Sequence, residues 1–439
     1  MSLQETLMYI SDQYLFIPFM IVLASSIILS IQTRFVQIRA LPKMFKILFA
    51  RQKVSKDAHL IQARSALFTA MATTIGIGNI VGPIVAIGWG GPGALVGFMI
   101  ASLFGGATTF SEVVFSLHYR KRFEDGTVSG GPMQYLKDSL GKFAAYFYAL
   151  SFFTLYIVWT GNQSNQIAAL LEPWHVSRWW VGVAIAFSTI IILMGGARRV
   201  GDFAAKLVPA MFLLYSTAGI WVLLCNSDKL AGVFKLIFTS FFTPQAAVGA
   251  VAGYSFQSAM RWGLGKALHS NEAGMGSAGI AHSVADVKNP VDQGILSIVS
   301  VYTNGFLCVL SGLLVLVTGV WQDANIPHDI SMMYKVFSMY FPGIGEIILL
   351  VSGVLFAFTT AVGNSFFGTQ CYLFVTKNRW VHLYYFAIAL LIVWGAISNA
   401  KAVWSISDLF MVPVAMVHIL GLVILSFKRS DLLKADIHD

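Results

Sequence analysis

Long apolar runs separated by short polar segments make up most of this chain. Eleven of these runs reach or approach the roughly 20 apolar residues that cross a bilayer core, which predicts an all-α polytopic membrane protein. The predicted spans are residues 14–31, 67–88, 93–119, 143–169, 179–194, 203–225, 243–260, 295–320, 344–374, 381–397 and 403–427. Of the 439 residues, 57% are hydrophobic and only 11% are charged, which excludes a soluble fold with a charged surface.

The second run is interrupted. Residues 73–93, TTIGIGNIVGPIVAIGWGGPG, contain seven glycines and two prolines, too many for a continuous helix. At membrane depth an interruption is tolerated only where it lines a cavity or is buried in protein. Amides freed there, such as those of Ile77 and Gly78, suit a small anion, and freed carbonyls suit a cation. This segment therefore predicts a solute site.

Basic residues are distributed unevenly between the predicted loops. Of the 29 lysines and arginines, 24 fall in alternate loops that share one face, and the net charge is +9. By the positive-inside rule this face is cytoplasmic, so the N-terminus is expected outside a cell (inner) membrane and the C-terminus inside. The positive charge therefore indicates a lipid bilayer as partner and not nucleic acid. The three cysteines have no spacing typical of a disulfide framework or a metal site.

The ten spans after the first divide into two sets of five with opposite orientation. Inverted repeats with an interrupted helix in each half are typical of secondary transporters, whose site lies at the midplane. We therefore expect discontinuous second and seventh helices. The expected units are a first span with a basic stretch (1–66), a five-helix repeat (67–225), an extracytoplasmic connector (226–242), an inverted five-helix repeat (243–427) and a cytoplasmic tail (428–439).

Depth along the seventh span predicts where its interruption lies. A rise of about 1.5 Å per residue from Thr243 puts residues 253–256 near the bilayer centre, and Arg261 and Lys266 at the cytoplasmic interface. Tyr254 and Phe256 are therefore expected in the substrate site. The following polar segment, His269 to Ser277, is expected to form a gate or a folded-back loop toward the cytoplasm. To the gate we assign Asn271, Glu272 and, from the third span, Glu112.

Amide side chains form a stripe in the fourth span. Asn162, Asn165 and Gln166 follow one another at i, i+3 and i+4, with Gln163 beside them. Such a stripe either hydrogen-bonds a zwitterionic solute or joins helices at roughly 0.6 kcal/mol per bond.

Thr359 and Thr360 lie together in the ninth span, with Asn364 one turn beyond Thr360. Threonine hydroxyls suit an alkali cation when backbone carbonyls supply the remaining ligands. Alternatively, they bond back to carbonyls of their own helix.

Ionisable groups favour a metal cation over a proton. A midplane carboxylate typical of proton coupling is not predicted, since Glu112 falls near the cytoplasmic interface and Glu272 in a cytoplasmic loop. No catalytic motif occurs, so enzyme activity is not expected. A channel or a nutrient sensor is a further alternative, although a single pair of interruptions favours a carrier over a symmetric pore.

Several motifs together resemble one known family, the alanine or glycine:cation symporters, also called sodium:alanine symporters. They are GIGNIVGPIVAIGWGGPGA (76–94), SGGPMQYL (129–136), SNEAGMGSA (270–278), NPVDQG (289–294) and FAFTTAVGN (356–364). The resemblance implies the leucine-transporter fold preceded by one extra helix. It also implies sodium-coupled symport of a small neutral amino acid, alanine-like or glycine-like, into the cell by alternating access, with proton coupling or a different amino acid as the alternative. No cofactor other than Na⁺ as coupling ion is implied.

Carried onto this sequence, the family pattern places the substrate carboxylate on the amides of Ile77 to Asn79. The substrate ammonium would face carbonyls near Thr73, Thr74 and Tyr254, and the fourth-span amides and Asn364 would position the rest of the substrate. The implied sodium ligands are the carbonyls of Ala72, Ile75 and Phe356 and the hydroxyls of Thr359 and Thr360.

Four positions depart from the usual family pattern. Ile77 and Pro83 change the motif GTGNIAGVATAI to GIGNIVGPIVAI. Asn165 stands where glutamine is more usual, and Asn364 where many members have a bulky aromatic residue. These departures predict a pocket of different shape.

Overall fold

A computed structural model describes residues 3–51, 57, 59–124, 126–242, 256–398 and 400–434, with side chains described outside 3–16 and 400–409. This part of the chain is almost entirely helical. The α-helices are α1 Leu3–Gln32, α2 Val36–Arg39, α3 Leu41–Phe49, α4 Ala63–Thr74, α5 Gly78–Gly90, α6 Ala94–His118, α7 Pro132–Ser139, α8 Lys142–Leu171, α9 Arg178–Leu193, α10 Gly196–Cys225, α11 Ser227–Phe242, α12 Phe256–Asn271, α13 Ser277–Ser283, α14 Pro290–Val317, α15 Ile330–Tyr340, α16 Gly345–Thr376, α17 Val381–Ile397 and α18 Ala400–Lys428. Short 3₁₀ turns lie at Glu172–Trp174, Val320–Gln322 and Ser430–Leu433, and one antiparallel hairpin pairs β1 Lys121–Arg122 with β2 Val128–Ser129.

Seven helical segments of the described residues are long and apolar enough to cross a membrane, and three shorter apolar helices accompany them. Together they coincide with ten of the predicted spans. The other one, residues 243–260, lies mostly outside the described residues, so the count of eleven and the inverted repeat remain predictions.

The second predicted span is interrupted where the glycines indicate. Helix α4 ends at Thr74 and α5 begins at Gly78, so residues 75–77 lie outside regular helix. Pro83 lies inside α5 without ending it. We call residues 75–77 the first interruption.

A second interruption within the described residues follows α12. Helix α12 runs without a break from Phe256 to Asn271, and α13 begins at Ser277. Between them Glu272, Gly274 and Gly276 have φ of 53°, 93° and 89°, in the left-handed region where glycine is favoured. We call residues 272–276 the second interruption. An interruption at 253–255 would fall outside the described residues.

The depth estimate was wrong because Arg261 and Lys266 do not mark the cytoplasmic interface. Both cations lie over the ring of Trp262, at 5.5 and 5.9 Å from its centroid. That ring stacks on Trp89 at the far end of α5. The charged stretch of α12 therefore packs beside α5, where an aromatic face stabilises the cations.

Small residues allow the helices around the interruptions to approach closely. A Cβ at Gly263 in α12 would overlap the carbonyl oxygen of Ala94 in α6, and a Cβ at Gly97 would lie 2.7 Å from the backbone of Gly263. Such contacts between backbones are the usual way in which helices associate inside a membrane. They hold α12 against α5 and α6 and so bring the two interruptions together.

Candidate functional site

A cavity of about 510 Å³ lies between the first interruption, α8, the end of α12 and α16. Its volume falls in the range of small-molecule sites. Twelve of the predicted site residues line it: Thr73, Thr74, Ile77, Gly78, Asn79, Asn162, Gln163, Asn165, Gln166, Glu272, Thr360 and Asn364. The polar and aromatic residues of the wall that the sequence analysis did not assign to this site are Trp159, Lys266, His269, Ser270, Asp329 and Tyr334.

Two amides at the first interruption face this cavity without a protein acceptor. The N–H of Gly76 donates to Asn79 Oδ1 at 2.8 Å. Within the described residues no acceptor is present for the N–H of Ile77 or of Gly78, which begins α5. A helix N-terminus also carries a partial positive charge, so these two amides form a place for a small anion.

The predicted cation ligands lie next to these amides. Thr360 Oγ1 lies 3.0 Å from the carbonyl oxygen of Ala72 and 3.4 Å from that of Ile75. Thr359 Oγ1 lies 2.9 Å from Leu355 O and 3.0 Å from Phe356 O. Thr359 therefore bonds back within its own helix, as the alternative interpretation expected, whereas Thr360 reaches across to α4. Neutral oxygens grouped in this way suit an alkali cation.

A buried carboxylate holds the second interruption. Glu112 Oε1 accepts the N–H of Gly274 at 2.8 Å and that of Gly276 at 3.3 Å. The Glu112 side chain is fully buried in α6 and is therefore not exposed on a surface. Its depth relative to the cytoplasmic interface remains a prediction. Glu112 thus positions a backbone segment and does not form an exposed gate.

His418 and two tyrosines complete the support of this segment. His418 Nδ1 lies 2.6 Å from the carbonyl oxygen of Gly274, and its Nε2 contacts the hydroxyl of Tyr135. Because a carbonyl only accepts, Nδ1 carries the proton, and Nε2 of the neutral ring accepts from Tyr135. The hydroxyl of Tyr148 donates to Met275 O at 2.7 Å. No local pattern in the sequence marked these residues, which come from α18, α7 and α8.

The two residues predicted as a gate beside Glu112 have different surroundings. Asn271 does not line the cavity, and its Oδ1 accepts the N–H of Ala273 at 3.0 Å, which forms an Asx turn after α12. Glu272 does line the cavity, and its buried Oε2 has no hydrogen-bond partner among the described residues. Glu272 therefore brings an acceptor to the cavity wall, and the cytoplasmic-loop position predicted for it was wrong.

Asn304 of α14 links the two interruptions. Its Nδ2 donates to Thr74 O at 2.6 Å and to Ser270 O at 3.0 Å. Asn79 in turn lies within 3.4 Å of the Asn304 carbonyl oxygen. The signal that could have identified Asn304 is its isolated polarity in the middle of an apolar span.

The amides of α8 have divided roles. Asn165 Nδ2 donates to Gly395 O at 2.9 Å and to Ser398 O at 2.7 Å, so it joins α8 to α17 as the structural alternative expected. Gln166 Nε2 lies 3.4 Å from Asn162 Oδ1. In contrast, Gln163 Oε1 is buried without a partner among the described residues.

Of the two substrate residues predicted in the seventh span, only Phe256 is described, and it does not line the cavity. Tyr254 lies outside the described residues. Phe256 is 50% exposed and packs on Phe241 at the start of α12, a helix length away from the second interruption. The assignment of Phe256 to the substrate site was wrong because it was based on depth counted along the chain from Thr243, which does not indicate which side chains line a cavity.

The cavity wall reaches the loop before α15, and the base of α4 is bonded to the segment after α13. Asp329 and Tyr334 belong to the wall on the side that the charge pattern predicts to be outside. On the other side Ile61 pairs with the end of α13: its N–H donates to Val284 O at 3.0 Å, and its carbonyl accepts from Asp286 at 2.8 Å. Arg120 adds a bond to Ala285 O at 2.8 Å.

Comparison with known proteins gives a consistent result. The model of the sodium:alanine symporter family matches residues 1–435. The uncharacterized transporter YflA of Bacillus subtilis is 33% identical over 87% of this chain and 82% of its own. The sodium/alanine symporter AgcS of Methanococcus maripaludis is 31% identical over 93% and 92%. Among solved structures, a Na⁺-coupled sialic acid symporter in a substrate-bound, outward-open state has the same fold, with a TM-score of 0.55 at 14% identity over 93% of this chain and 87% of that one.

Proposed function

The chain belongs to the sodium:alanine symporter family, and we propose that it imports a small neutral amino acid together with sodium. As a member of this family it is a multi-pass membrane transporter and not an enzyme. The observation that carries the proposal is the first interruption, where the free amides of Ile77 and Gly78 lie beside the neutral oxygens around Thr360. An anion site next to a cation site is what coupled binding of a carboxylate and sodium requires.

Different polar groups of the cavity bind the two charged ends of the substrate. The α-carboxylate binds the amides of Ile77 and Gly78. The ammonium binds acceptors that have no partner of their own, which are Glu272 Oε2 and Gln163 Oε1. The expectation that the Thr74 carbonyl serves the ammonium is less favoured, because this oxygen already accepts from Asn304.

Sodium binds between α4 and α16. The carbonyls of Ala72 and Ile75 and the hydroxyl of Thr360 are already together, and rotation of this hydroxyl turns a lone pair toward the ion. Thr359 and the Phe356 carbonyl complete the set. Sodium then stabilises the arrangement of the first interruption that accepts the carboxylate, which is the coupling that symport needs. Each sodium moved inward is driven by about 2.3 kcal/mol per 100 mV.

Alternating access follows from the difference between the two faces. The cavity extends toward the outer face, and the bonds of Ile61 and Arg120 close the inner one. Movement of the base of α4 away from residues 284–286 opens the site to the cytoplasm. In the five-plus-five arrangement α4 and α5 correspond to the interrupted helix of one repeat, and α12 and α13 to that of the other.

Uptake into proteoliposomes tests sodium coupling. Accumulation is expected with an inward sodium gradient and is expected to disappear when choline replaces sodium at constant pH and potential. Thr360→Val removes one oxygen ligand with little change of volume, so the sodium concentration for half-maximal uptake should rise at least about tenfold. Thr360→Ser keeps the hydroxyl and is the matched control, expected within about threefold of the wild type. Equal sodium dependence of all three proteins would contradict the proposed ion site.

Proton coupling is a second candidate because Glu112 and Glu272 are both buried at the second interruption. This observation removes the reason for which the sequence favoured a metal cation over a proton. A proton-coupled carrier would accumulate substrate in a pH gradient without sodium, and Glu272→Gln would abolish that uptake. Sodium-dependent uptake that persists in Glu272→Gln would exclude Glu272 as a proton carrier.

A further inference from the structure

One side chain of the cavity wall has no partner at either of its polar atoms. Asn364 is 1% exposed, and neither its Oδ1 nor its Nδ2 has a hydrogen bond within the described residues. Most buried polar atoms in proteins are paired, and leaving one unpaired is destabilising. In either orientation the Asn364 amide presents one donor and one acceptor. Its complement is a group that also has one of each, and the described residues supply none.

The position of Asn364 relative to the first interruption indicates which part of a bound substrate carries the complementary group. Helix α16 packs on the interruption, since a Cβ at Gly363 would lie 2.6 Å from Thr73 Cγ2, and Thr360 contacts the α4 carbonyls. Asn364 lies one turn beyond Thr360, about 6 Å further along the helix axis. This offset favours a substrate that is anchored by its carboxylate at Ile77 and Gly78 and extends a side chain of several bonds toward Asn364.

The chemistry of Asn364 limits the side chain further. A carboxamide offers one oxygen acceptor and one nitrogen donor side by side, so it pairs with the amide of Asn364 through two hydrogen bonds. A methyl group satisfies neither atom. A carboxylate or an ammonium satisfies only one of them and also brings a charge into a buried wall, which is unfavourable without a counter-charge.

We propose that the transported amino acid is neutral and carries a carboxamide side chain, as glutamine does, and that Asn364 is the residue that selects it. This inference rests on the proposed function, because it takes the anchoring of the α-carboxylate from there. A cavity of about 510 Å³ accommodates such a substrate. The alanine side chain has no donor or acceptor, so both polar atoms of Asn364 would stay unpaired with alanine bound.

The test compares glutamine with alanine on the purified full-length protein. Sodium-driven uptake in proteoliposomes and competition between the two amino acids should show glutamine binding about 10-fold to 100-fold more tightly, since alanine leaves both Asn364 atoms unpaired. In Asn364→Leu, which has a similar volume without polar atoms, the ratio of the two affinities should fall to near one.

Melting temperature without substrate separates selection from a structural role. Asn364→Leu should melt at the same or a higher temperature than the wild type, because it removes a buried amide that has no partner. The matched control is Ser352→Ala in the same helix, whose hydroxyl is also buried without a partner in the described part of the chain but does not line the cavity. The control should leave the ratio of affinities unchanged.

Three results would overturn the inference. They are a wild type that prefers alanine, an affinity ratio unchanged in Asn364→Leu, and a lower melting temperature of that variant, which would indicate a structural partner for the amide. In the first two cases sodium-driven uptake persists and the proposed function stands. If neither amino acid accumulates under a sodium gradient, the proposed function fails as well.

Discussion

The two interrupted helices have similar glycine content but opposite hydrogen bonding. At the first interruption, neutral groups of Thr360 and Asn304 satisfy carbonyls, and the amides of Ile77 and Gly78 remain free. At the second, the carboxylate of Glu112 accepts the amides of Gly274 and Gly276, and His418 satisfies a carbonyl.

This difference assigns different roles to the two interruptions: the first binds the substrate, and the second supports the cavity wall. Free amides at a helix N-terminus attract an anion, so the first interruption is suited to the substrate carboxylate. Amides already paired with a buried carboxylate are not available, and the same charge repels a second anion. The second interruption instead offers the side chains of Ser270 and Glu272 to the cavity from a segment held by buried groups.

The largest expected effect comes from removing the buried carboxylate. Glu112→Leu leaves the amides of Gly274 and Gly276 unpaired in the protein interior, at about 1 to 3 kcal/mol each. We expect the free energy of unfolding to fall by about 2 to 6 kcal/mol in mixed micelles, with loss of transport. Glu112→Gln keeps one acceptor oxygen and is expected to lose less than half as much. Equal stability of the two variants would show that the carboxylate does not hold this segment.

A smaller effect, on binding alone, is expected at the first interruption. A Cβ at Gly78 meets no atom within 4 Å, so Gly78→Val adds methyl groups in the open space before the free amides. Substrate affinity should fall about 100-fold, because a charge-assisted hydrogen bond is obstructed, while the melting temperature stays constant. Gly232→Val is the control, since its Cβ also meets open space and lies outside the cavity wall. A stability loss in Gly78→Val without an affinity change would reverse the roles assigned to the two interruptions.

The smallest effect is expected from a substitution at Gly76. It distinguishes the cation ligands around Thr360 from the anion site at the amides of Ile77 and Gly78. A Cβ at Gly76 would lie 2.7 Å from Thr360 Oγ1, so Gly76→Ala turns this hydroxyl away at about 0.5 to 1.5 kcal/mol. The sodium concentration for half-maximal uptake should rise several-fold, and substrate affinity at saturating sodium should change little. Sodium titrations of uptake measure this. A change in substrate affinity with unaltered sodium dependence would contradict the assignment of Thr360.

The sequence was informative where a signal is local. Glycine density placed the first interruption correctly, and the SNEAG and TTAVGN motifs identified the family, which the match over residues 1–435 confirms. Depth counted from Thr243 failed for α12, because Arg261 and Lys266 lie over Trp262, whose ring stacks on Trp89 at the far end of α5. That single error moved the expected substrate contacts to Phe256 and placed Glu272 in a cytoplasmic loop.

The sequence by itself therefore determined a helical membrane protein, its family, the first interruption and twelve of the residues around the cavity, since hydrophobic runs and glycine clusters act within a few turns of chain. Only the tertiary structure decided which amides stay free and which side chains support the second interruption. Asn304 meets Thr74 across 230 positions, and His418 meets Gly274 across 144. Such pairings depend on how helices distant in the chain pack together, and no periodicity along one helix encodes them.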